Sequence, residues 1–202
     1  MTAGVIVAGG RSTRFGDRDK AVAELAGVPM VRRVADRIER LVDELVVNCR
    51  SEQVDSLDDA LEGYARPVRF AEDEEPDRGP MAGIRTGLRA AEETYAFVVA
   101  CDMPFVDPAL VEHLVDRADG HDAAVPRLDD RWFQTTHAVY RAEPMAAACE
   151  DALERGEHKI LEPLFELDYV VVDDEEVRRH GTAESFENVN THEEFEAAAE
   201  RL

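Results

Sequence analysis

The chain has 202 residues, 45% of them hydrophobic, and a formal net charge of −22. This length and apolar fraction are typical of one globular domain, so we expect a single domain over residues 1–202. Because 45 acidic side chains face 23 basic ones, the composition argues against nucleic-acid binding, which needs a basic surface. Only two of the basic residues are lysines. An acidic, lysine-poor surface predicts a halophilic protein, since salt screens repulsion between like charges.

Short apolar runs alternate with amphipathic segments along the whole chain. In chain order, the pattern predicts a strand at 4–7, a helix from Pro29 with Val31, Val34, Ile38 and Leu41 on its apolar face, and a strand at 44–48. It then predicts a helix at 52–61, a strand at 68–70, a helix at 80–91, a strand at 95–100, a helix from 108 and strands at 122–125 and 133–140. Helices at 144–155 and 160–167, a strand at 169–172 and a helix at 191–202 complete the chain. The alternation predicts an α/β fold with a largely parallel sheet, and the acidic runs 72–75 and 173–176 are interpreted as solvated loops.

The first predicted strand ends in a glycine-rich loop. Gly9 and Gly10 follow the apolar residues 5–8, and Arg14 and Lys20 come soon after. Glycine can adopt positive φ, which brings backbone N–H groups close to an anion, and the two cations add charge where a polyphosphate would lie. The spacing fits neither the Walker loop, which needs Gly-Lys-Ser/Thr, nor G-x-G-x-x-G, because the glycines are adjacent. The loop therefore predicts a phosphate site of another kind.

Polar residues also end two later strands. Asp102 comes just after the strand 95–100, where open α/β sheets bind ligands, and a carboxylate there is placed to hold Mg²⁺ on nucleotide phosphates. Asn48 ends the second strand, and its amide can donate and accept hydrogen bonds. The spacing leaves two interpretations of Asn48 open, a turn residue or a reader of base or ribose.

The remaining chemistry-bearing residue types predict structural roles. Cys49, Cys101 and Cys149 are far apart and show no C-x-x-C spacing, so we expect small buried side chains and neither zinc nor a disulfide framework. The six histidines form no H-x-x-x-H pair and are interpreted as structural or solvated. No long apolar stretch or signal peptide is recognised, so we expect a cytoplasmic protein without membrane association.

Taken in order, these segments resemble the motifs of molybdenum cofactor guanylyltransferases, the MobA-like nucleotidyltransferases. The glycine loop at 8–20 and Cys-Asp-Met-Pro at 101–104 resemble motifs of the wider nucleotidyltransferase class. The family's other motifs are matched by Val-Val-Asn at 46–48, the segment 73–83 with Gly-Pro-Met-Ala-Gly, Ala-Val-Tyr at 138–140 and Asn-Val-Asn-Thr at 188–191. One departure is His192, where the family often has proline. The resemblance implies a single-domain, three-layer α/β/α sandwich of the glycosyltransferase-A-like, Rossmann-like kind.

The resemblance also implies a set of site residues. Asp102 would hold Mg²⁺, and the catalytic set would be Lys20, Arg14 and Asp102. Asn188 and Asn190 would lie on the pterin side. The family has an acid on the guanosine side, where one carboxylate can accept both N1–H and N2–H₂ of guanine. We assign this role to Asp73, with Glu72 as the alternative. The implied GTP-binding residues are Val7, Ala8, Gly9, Gly10, Lys20, Asn48, Asp73 and Asp102.

The implied reaction joins GMP from GTP to the terminal phosphate of molybdopterin and releases pyrophosphate. GTP and molybdopterin are then the small-molecule partners, and other cofactor-biosynthesis proteins or apo-molybdoenzymes are candidate protein partners. The alternatives are a cobinamide-phosphate guanylyltransferase, a molybdopterin cytidylyltransferase, a sugar-phosphate nucleotidyltransferase or a non-catalytic nucleotide-binding regulator. Lys20 and Asp102 together argue against the regulator, because binding alone does not need both.

Overall fold

The computed structural model describes residues 1–10, 19–73, 78–129 and 131–202. The strands in these ranges are β1 (Thr2–Val7), β2 (Glu24–Leu25), β3 (Val28–Pro29), β4 (Glu44–Cys49), β5 (Val68–Glu72), β6 (Tyr95–Ala100), β7 (Ala123–Leu128), β8 (Trp132–Phe133), β9 (His137–Arg141) and β10 (Tyr169–Asp173). The helices are α1 (Met30–Ile38), α2 (Val54–Ala60), α3 (Pro80–Ala90), α4 (Pro108–Ala118), α5 (Ala142–Glu154), α6 (Leu161–Leu164), α7 (Asp174–His180) and α8 (His192–Ala199). Short 3₁₀ helices cover Lys20–Val22, Ser51–Gln53 and Ala183–Phe186.

The main sheet is mostly parallel, as the sequence predicts. Its strand order is β10-β7-β9-β6-β1-β4-β5, with β8 paired to β7. Strand β1 runs parallel to β4 and β6, and β4 runs parallel to β5, whereas β9 runs antiparallel to both β6 and β7. Four adjacent parallel strands, β6, β1, β4 and β5, therefore end at the same edge of the sheet.

Helices cover both faces of this sheet. Successive side chains of a strand point to opposite faces, so Ile6 packs in the cluster that contains α1, α2, α4 and α7, while Val5 packs in the cluster that contains α3, α5 and α6. Both strand residues are fully buried. The expected three-layer α/β/α sandwich is confirmed.

Local sequence signals fix where several helices begin. Gly79 adopts φ 85°, which favours glycine, and Pro80 opens α3 at a position where its missing N–H costs nothing. The Asp107 side chain accepts a hydrogen bond from the Ala109 N–H at the start of α4. At α8, the predicted capping box is present, with Thr191 and Glu194 exchanging hydrogen bonds with the backbone.

Two element predictions near the ends of helices are wrong. Pro29 ends β3, which pairs with β2 in a small hairpin, and it is also the N-cap of α1, so the helix begins one residue later than predicted. Helix α1 ends at Ile38, before Leu41. The run 173–176 is not a loop: Asp173 accepts a hydrogen bond from the Glu176 N–H, and α7 follows. Acidic side chains in a first helical turn are favoured by the helix dipole, which explains why this acidic run is helical.

The predicted strand 133–140 is also two strands rather than one. Strand β8 ends at Phe133, a turn follows, and β9 begins at His137. The His137 imidazole is buried between β6 and the segment after α7, where its Nε2 lies 3.2 Å from Ser185 Oγ. Cys49 and Cys149 are buried as expected, and Cys101 is partly buried. Of the helices described, none has the length and apolar character that crossing a membrane requires.

Candidate active site

A cavity of about 510 Å³ opens at the carboxyl ends of β1, β4, β5 and β6. Each of these strands or the residues just after it contributes at least one predicted site residue. Those that line the cavity are Val7, Ala8, Gly9, Gly10, Asn48, Asp73, Asp102 and Asn188. Arg14, the remaining predicted cation, lies outside the described residues.

Lys20 is buried next to this cavity and joins three distant parts of the chain. Its Nζ donates hydrogen bonds to Asp102 Oδ2 at 2.9 Å and to Asn190 Oδ1 at 3.1 Å. The residue is 6% exposed, so its charge is largely out of water and needs a close counter-charge. Among the described residues these are its side-chain partners, which leaves one ammonium N–H for a ligand.

The two carboxylate oxygens of Asp102 differ in their contacts with the described residues. Its Oδ2 binds Lys20, while its Oδ1 is buried and has no hydrogen-bond partner among the described residues. The Asp102 backbone is fixed on its other side, because its carbonyl accepts a hydrogen bond from the Val189 N–H at 2.9 Å. A buried carboxylate oxygen without a partner costs free energy, which is typical of atoms that hold a ligand.

Asp73 and Asn48 form a second polar pair on the opposite side of β1. Asn48 is fully buried, and its Nδ2 donates to Asp73 Oδ1 at 2.7 Å and to the Ala71 carbonyl at 3.1 Å. Both amide N–H groups are therefore used within the protein, and Asn48 Oδ1 remains without a partner among the described residues. Burial raises the pKa of Asp73 above its usual range, and the Asn48 hydrogen bond and the nearby charges of Arg50 and Arg85 oppose that rise. Glu72, by contrast, is exposed.

Two glycines leave room for this pair. A Cβ at Gly9 would overlap Asp73 Oδ2, and a Cβ at Gly83 would overlap Asn48 Oδ1. Gly9 does not have a positive φ, so the sequence-based reason for glycine here is wrong. The position needs glycine because another side chain approaches closely.

Sequence reasoning missed two side chains at this edge, Arg50 and Gln53. Arg50 donates to the carbonyl oxygens of Gly9 and Gly10 at 2.8 and 3.1 Å, and Gln53 donates to the Ala8 carbonyl at 3.2 Å. A basic residue two positions after Asn48, just beyond the end of β4, is the signal that could have indicated Arg50. Cys101 is also among the residues that line the cavity, and burial raises the pKa of its thiol, which favours the protonated form.

The family model described as MobA-like NTP transferase domain matches residues 4–184. The chain belongs to this family. The matched range contains β4, β5, β6, all but the first two residues of β1, and both residues of the Lys20–Asp102 pair. Asn188 and Asn190 lie after it.

Two curated proteins and one solved structure are similar to this chain over nearly its full length. A probable molybdenum cofactor guanylyltransferase of Natronomonas pharaonis is 57% identical over 98% of this chain and 97% of its own length. Its counterpart by name in Haloferax mediterranei is 38% identical over 98% of this chain and 93% of its own. The crystal structure of molybdopterin-guanine dinucleotide biosynthesis protein A from Archaeoglobus fulgidus superimposes with a TM-score of 0.80, at 29% identity, over 100% of this chain and 98% of that one.

Proposed function

We propose that this protein is a molybdenum cofactor guanylyltransferase, which transfers GMP from GTP to the terminal phosphate of molybdopterin. The observation on which the proposal rests is the buried Lys20–Asp102 pair beside a cavity at the carboxyl ends of four parallel strands. Open α/β sheets bind nucleotides at such an edge. The names of the similar proteins support the choice of GTP and molybdopterin as substrates.

The reaction needs no nucleophile from the protein. An oxygen of the molybdopterin phosphate, ionised at neutral pH, attacks the α-phosphorus of GTP. The new P–O bond forms as the bond between the α-phosphorus and its bridging oxygen to the β-phosphate breaks, and pyrophosphate leaves with the electron pair. Catalysis is then positioning and charge neutralisation. Lys20 and Arg14 would offset charge on the leaving pyrophosphate, and backbone N–H groups at Gly9 and Gly10 would hold the phosphates.

Asp102 fits a role as ligand of Mg²⁺. Its Oδ1 is a carboxylate oxygen without a protein partner among the described residues, and Mg²⁺ prefers such ligands. No group of three or more His, Cys, Asp or Glu side chains in the described ranges is arranged to hold a metal ion, so phosphate oxygens and water would supply the other ligands. The ion would supply neutralisation of phosphate charge. Because Asp102 Oδ2 holds Lys20, the ion and the ammonium would share one carboxylate.

The other side of β1 fits the guanine end of the substrate. Asp73 lines the cavity and can accept N1–H and N2–H₂ together. Asn48 would orient that carboxylate through its Nδ2 and would offer only Oδ1 to the nucleotide. Asn188, which lines the cavity, and Asn190, which holds Lys20, would lie toward the pterin.

The deciding experiment measures pyrophosphate release in molar KCl with each of the four nucleoside triphosphates, with and without molybdopterin. We expect release only when GTP and molybdopterin are both present with Mg²⁺. A preference for CTP would assign the cytidylyl reaction instead. Tight GTP binding without any release, whether the acceptor is molybdopterin, cobinamide phosphate or a sugar phosphate, would indicate a regulator and contradict the proposal.

A further inference from the structure

Arg50 and Gln53 contact both described ends of the glycine loop. On the side of β1, Arg50 Nη1 donates to the carbonyls of Gly9 and Gly10, and Gln53 Nε2 donates to the carbonyl of Ala8. On the far side, Gln53 Nε2 donates to Asp19 Oδ2 at 2.5 Å, and Arg50 Nη2 lies 3.5 Å from the same oxygen. Two side chains after β4 thus join residues 8–10 to the residue that precedes Lys20.

These contacts fix the orientation of the Gly9–Gly10 peptide. In a trans peptide the C=O and the N–H point in opposite directions, and no cis peptide is found in the described residues. The Gly9 carbonyl points toward the Arg50 guanidinium, so the Gly10 N–H points away from it. Gly9 and Gly10 both line the cavity. An N–H held in this way is prepared to bind an anion before the anion arrives.

The two side chains are themselves held firmly. Gln53 is 2% exposed, and its Oε1 accepts a hydrogen bond from the Arg50 N–H at 2.8 Å, which aims its Nε2 at Ala8 and Asp19. The Arg50 side chain is 12% exposed and also pairs with Glu52. Asp19 Oδ1 accepts from the Ala21 N–H, so the carboxylate fixes the start of the short helix that contains Lys20.

We propose that Arg50 and Gln53 are positioning residues for the triphosphate of the nucleotide: they touch the loop rather than the substrate, and they prepare both the Gly10 N–H and Lys20 for the phosphates. The inference rests on the proposed function in its assignment of GTP as ligand. It goes beyond that function by placing control of phosphate affinity on the segment after β4. It also predicts a larger effect on phosphate recognition than on base recognition, because Arg50 hydrogen-bonds the glycine loop directly but acts on Asp73 as a nearby charge.

The test compares binding of GTP, pyrophosphate and guanosine to Arg50→Ala and to wild type by calorimetry in molar KCl. Loss of a hydrogen bond from a charged donor weakens binding by roughly tenfold to a hundredfold. We expect that loss for GTP and pyrophosphate and a much smaller change for guanosine, since Arg50 acts on Asp73 as a nearby charge. Guanidinium ion at millimolar concentration, with chloride held constant, should restore part of the GTP affinity. In turnover assays, KM for GTP should rise while KM for molybdopterin stays at its wild-type value.

Arg66→Ala is the matched control, because Arg66 is also half-buried and donates to a backbone carbonyl, that of Glu39, on another part of the molecule. It should bind all three ligands as wild type does. Gln53→Leu should reproduce the Arg50→Ala pattern, and if its melting temperature collapses, the Arg50 variant decides. Unchanged GTP affinity in Arg50→Ala, or equal weakening of GTP and guanosine, would overturn the inference. Wild-type protein that binds pyrophosphate but no GTP would instead contradict the proposed function.

Discussion

At the scale of single residues, Lys20 and Lys159 form a natural pair for comparison, since they are the chain's two lysines. Lys20 is buried against Asp102, and Lys159 is exposed. Lys20→Ala should lower kcat roughly 10²–10³-fold, about 3–4 kcal/mol, because a charge that stabilises the leaving pyrophosphate is lost. Lys159→Ala should turn over GTP at the wild-type rate. Near-wild-type turnover in a folded Lys20→Ala protein would remove Lys20 from the mechanism.

Asp102→Asn separates the metal role of this residue from its packing role. An Asn side chain can still accept the Lys20 hydrogen bond but binds Mg²⁺ poorly, so turnover should fall much more than the melting temperature does. The Mg²⁺ titration of activity should shift to higher concentration. Asp119→Asn, at an exposed position, should change neither quantity. An unaltered Mg²⁺ titration would leave Asp102 as a structural partner of Lys20.

The neighbours Glu72 and Asp73 allow a direct test of base recognition. Asp73→Ala should lower kcat/KM with GTP and narrow the gap to ATP, whose N1 has no proton to donate. An unpaired buried group costs about 1–3 kcal/mol, so roughly tenfold to a hundredfold discrimination is expected from this contact. Glu72→Ala, exposed at the end of β5, should keep the wild-type ratio. If neither substitution alters the GTP-to-ATP ratio, the base is read elsewhere, and if Glu72→Ala does so alone, the assignment moves to Glu72.

At the scale of elements, β9 begins with the buried imidazole of His137, and this group predicts that the stability of the fold depends on pH. Burial lowers the pKa of His137 to about 3. In the unfolded chain a histidine binds its proton below about pH 6.5, so this group stabilises the fold above that pH. The stability is lost as the pH falls from about 6.5 toward 3, at about 1.4 kcal/mol per pH unit. His137→Phe, placed between Phe97 and Phe186, should therefore lose less stability than wild type between about pH 7 and pH 5.

The measurement is chemical denaturation at both pH values in constant KCl. His158→Gln serves as control, because His158 is exposed, and it should show the wild-type pH dependence. If the free energy of unfolding changes equally with pH in His137→Phe and wild type, the buried imidazole is not the cause of the pH dependence.

Elements that depend on local pattern were predicted well, and those that depend on context were not. The run 95–100 is an unbroken apolar stretch, and it is β6 as predicted. Strand β9 interrupts the parallel order because it pairs antiparallel with both β6 and β7, and hydrophobic periodicity does not reveal the direction of a strand in its sheet. Helix α7 was missed because acidic residues suit both a solvated loop and a first helical turn, and only the Asp173 cap decides between them.

At the scale of the whole molecule, the excess of acidic side chains predicts a dependence on salt. Because 45 acidic residues outnumber 23 basic ones, repulsion between negative side chains destabilises the fold when screening is weak. The melting temperature should therefore rise with KCl concentration, and sucrose at equal osmolality should raise it less.

We also infer that residues 1–202 form one domain, so calorimetry should show one cooperative transition at each salt concentration. A melting temperature that ignores KCl would contradict the halophilic interpretation, and two transitions would contradict the single domain.

The membership of the site could be predicted from the sequence, but its contacts could not. Lys20 and Asp102 were recognisable because each stands in a motif at the end of a strand. Other contacts depend on how distant segments approach one another. Asn190 completes the Lys20 site in this way, and Asn48 uses both its N–H groups inside the protein. Such approaches are set by how the layers pack, which residue spacing along the chain does not record.

The contact from Lys20 to Asn190 spans 170 positions along the chain. A ribosome makes the glycine loop first and adds Asn190 only after roughly 10–30 s at ordinary rates of translation. Early in that interval the Lys20 ammonium lacks both partners found for it in the described residues, and later it has only Asp102. A nascent chain should therefore acquire the complete Lys20 site only when its last segment docks, so an interrupted translation product would contain the glycine loop without a finished enzyme.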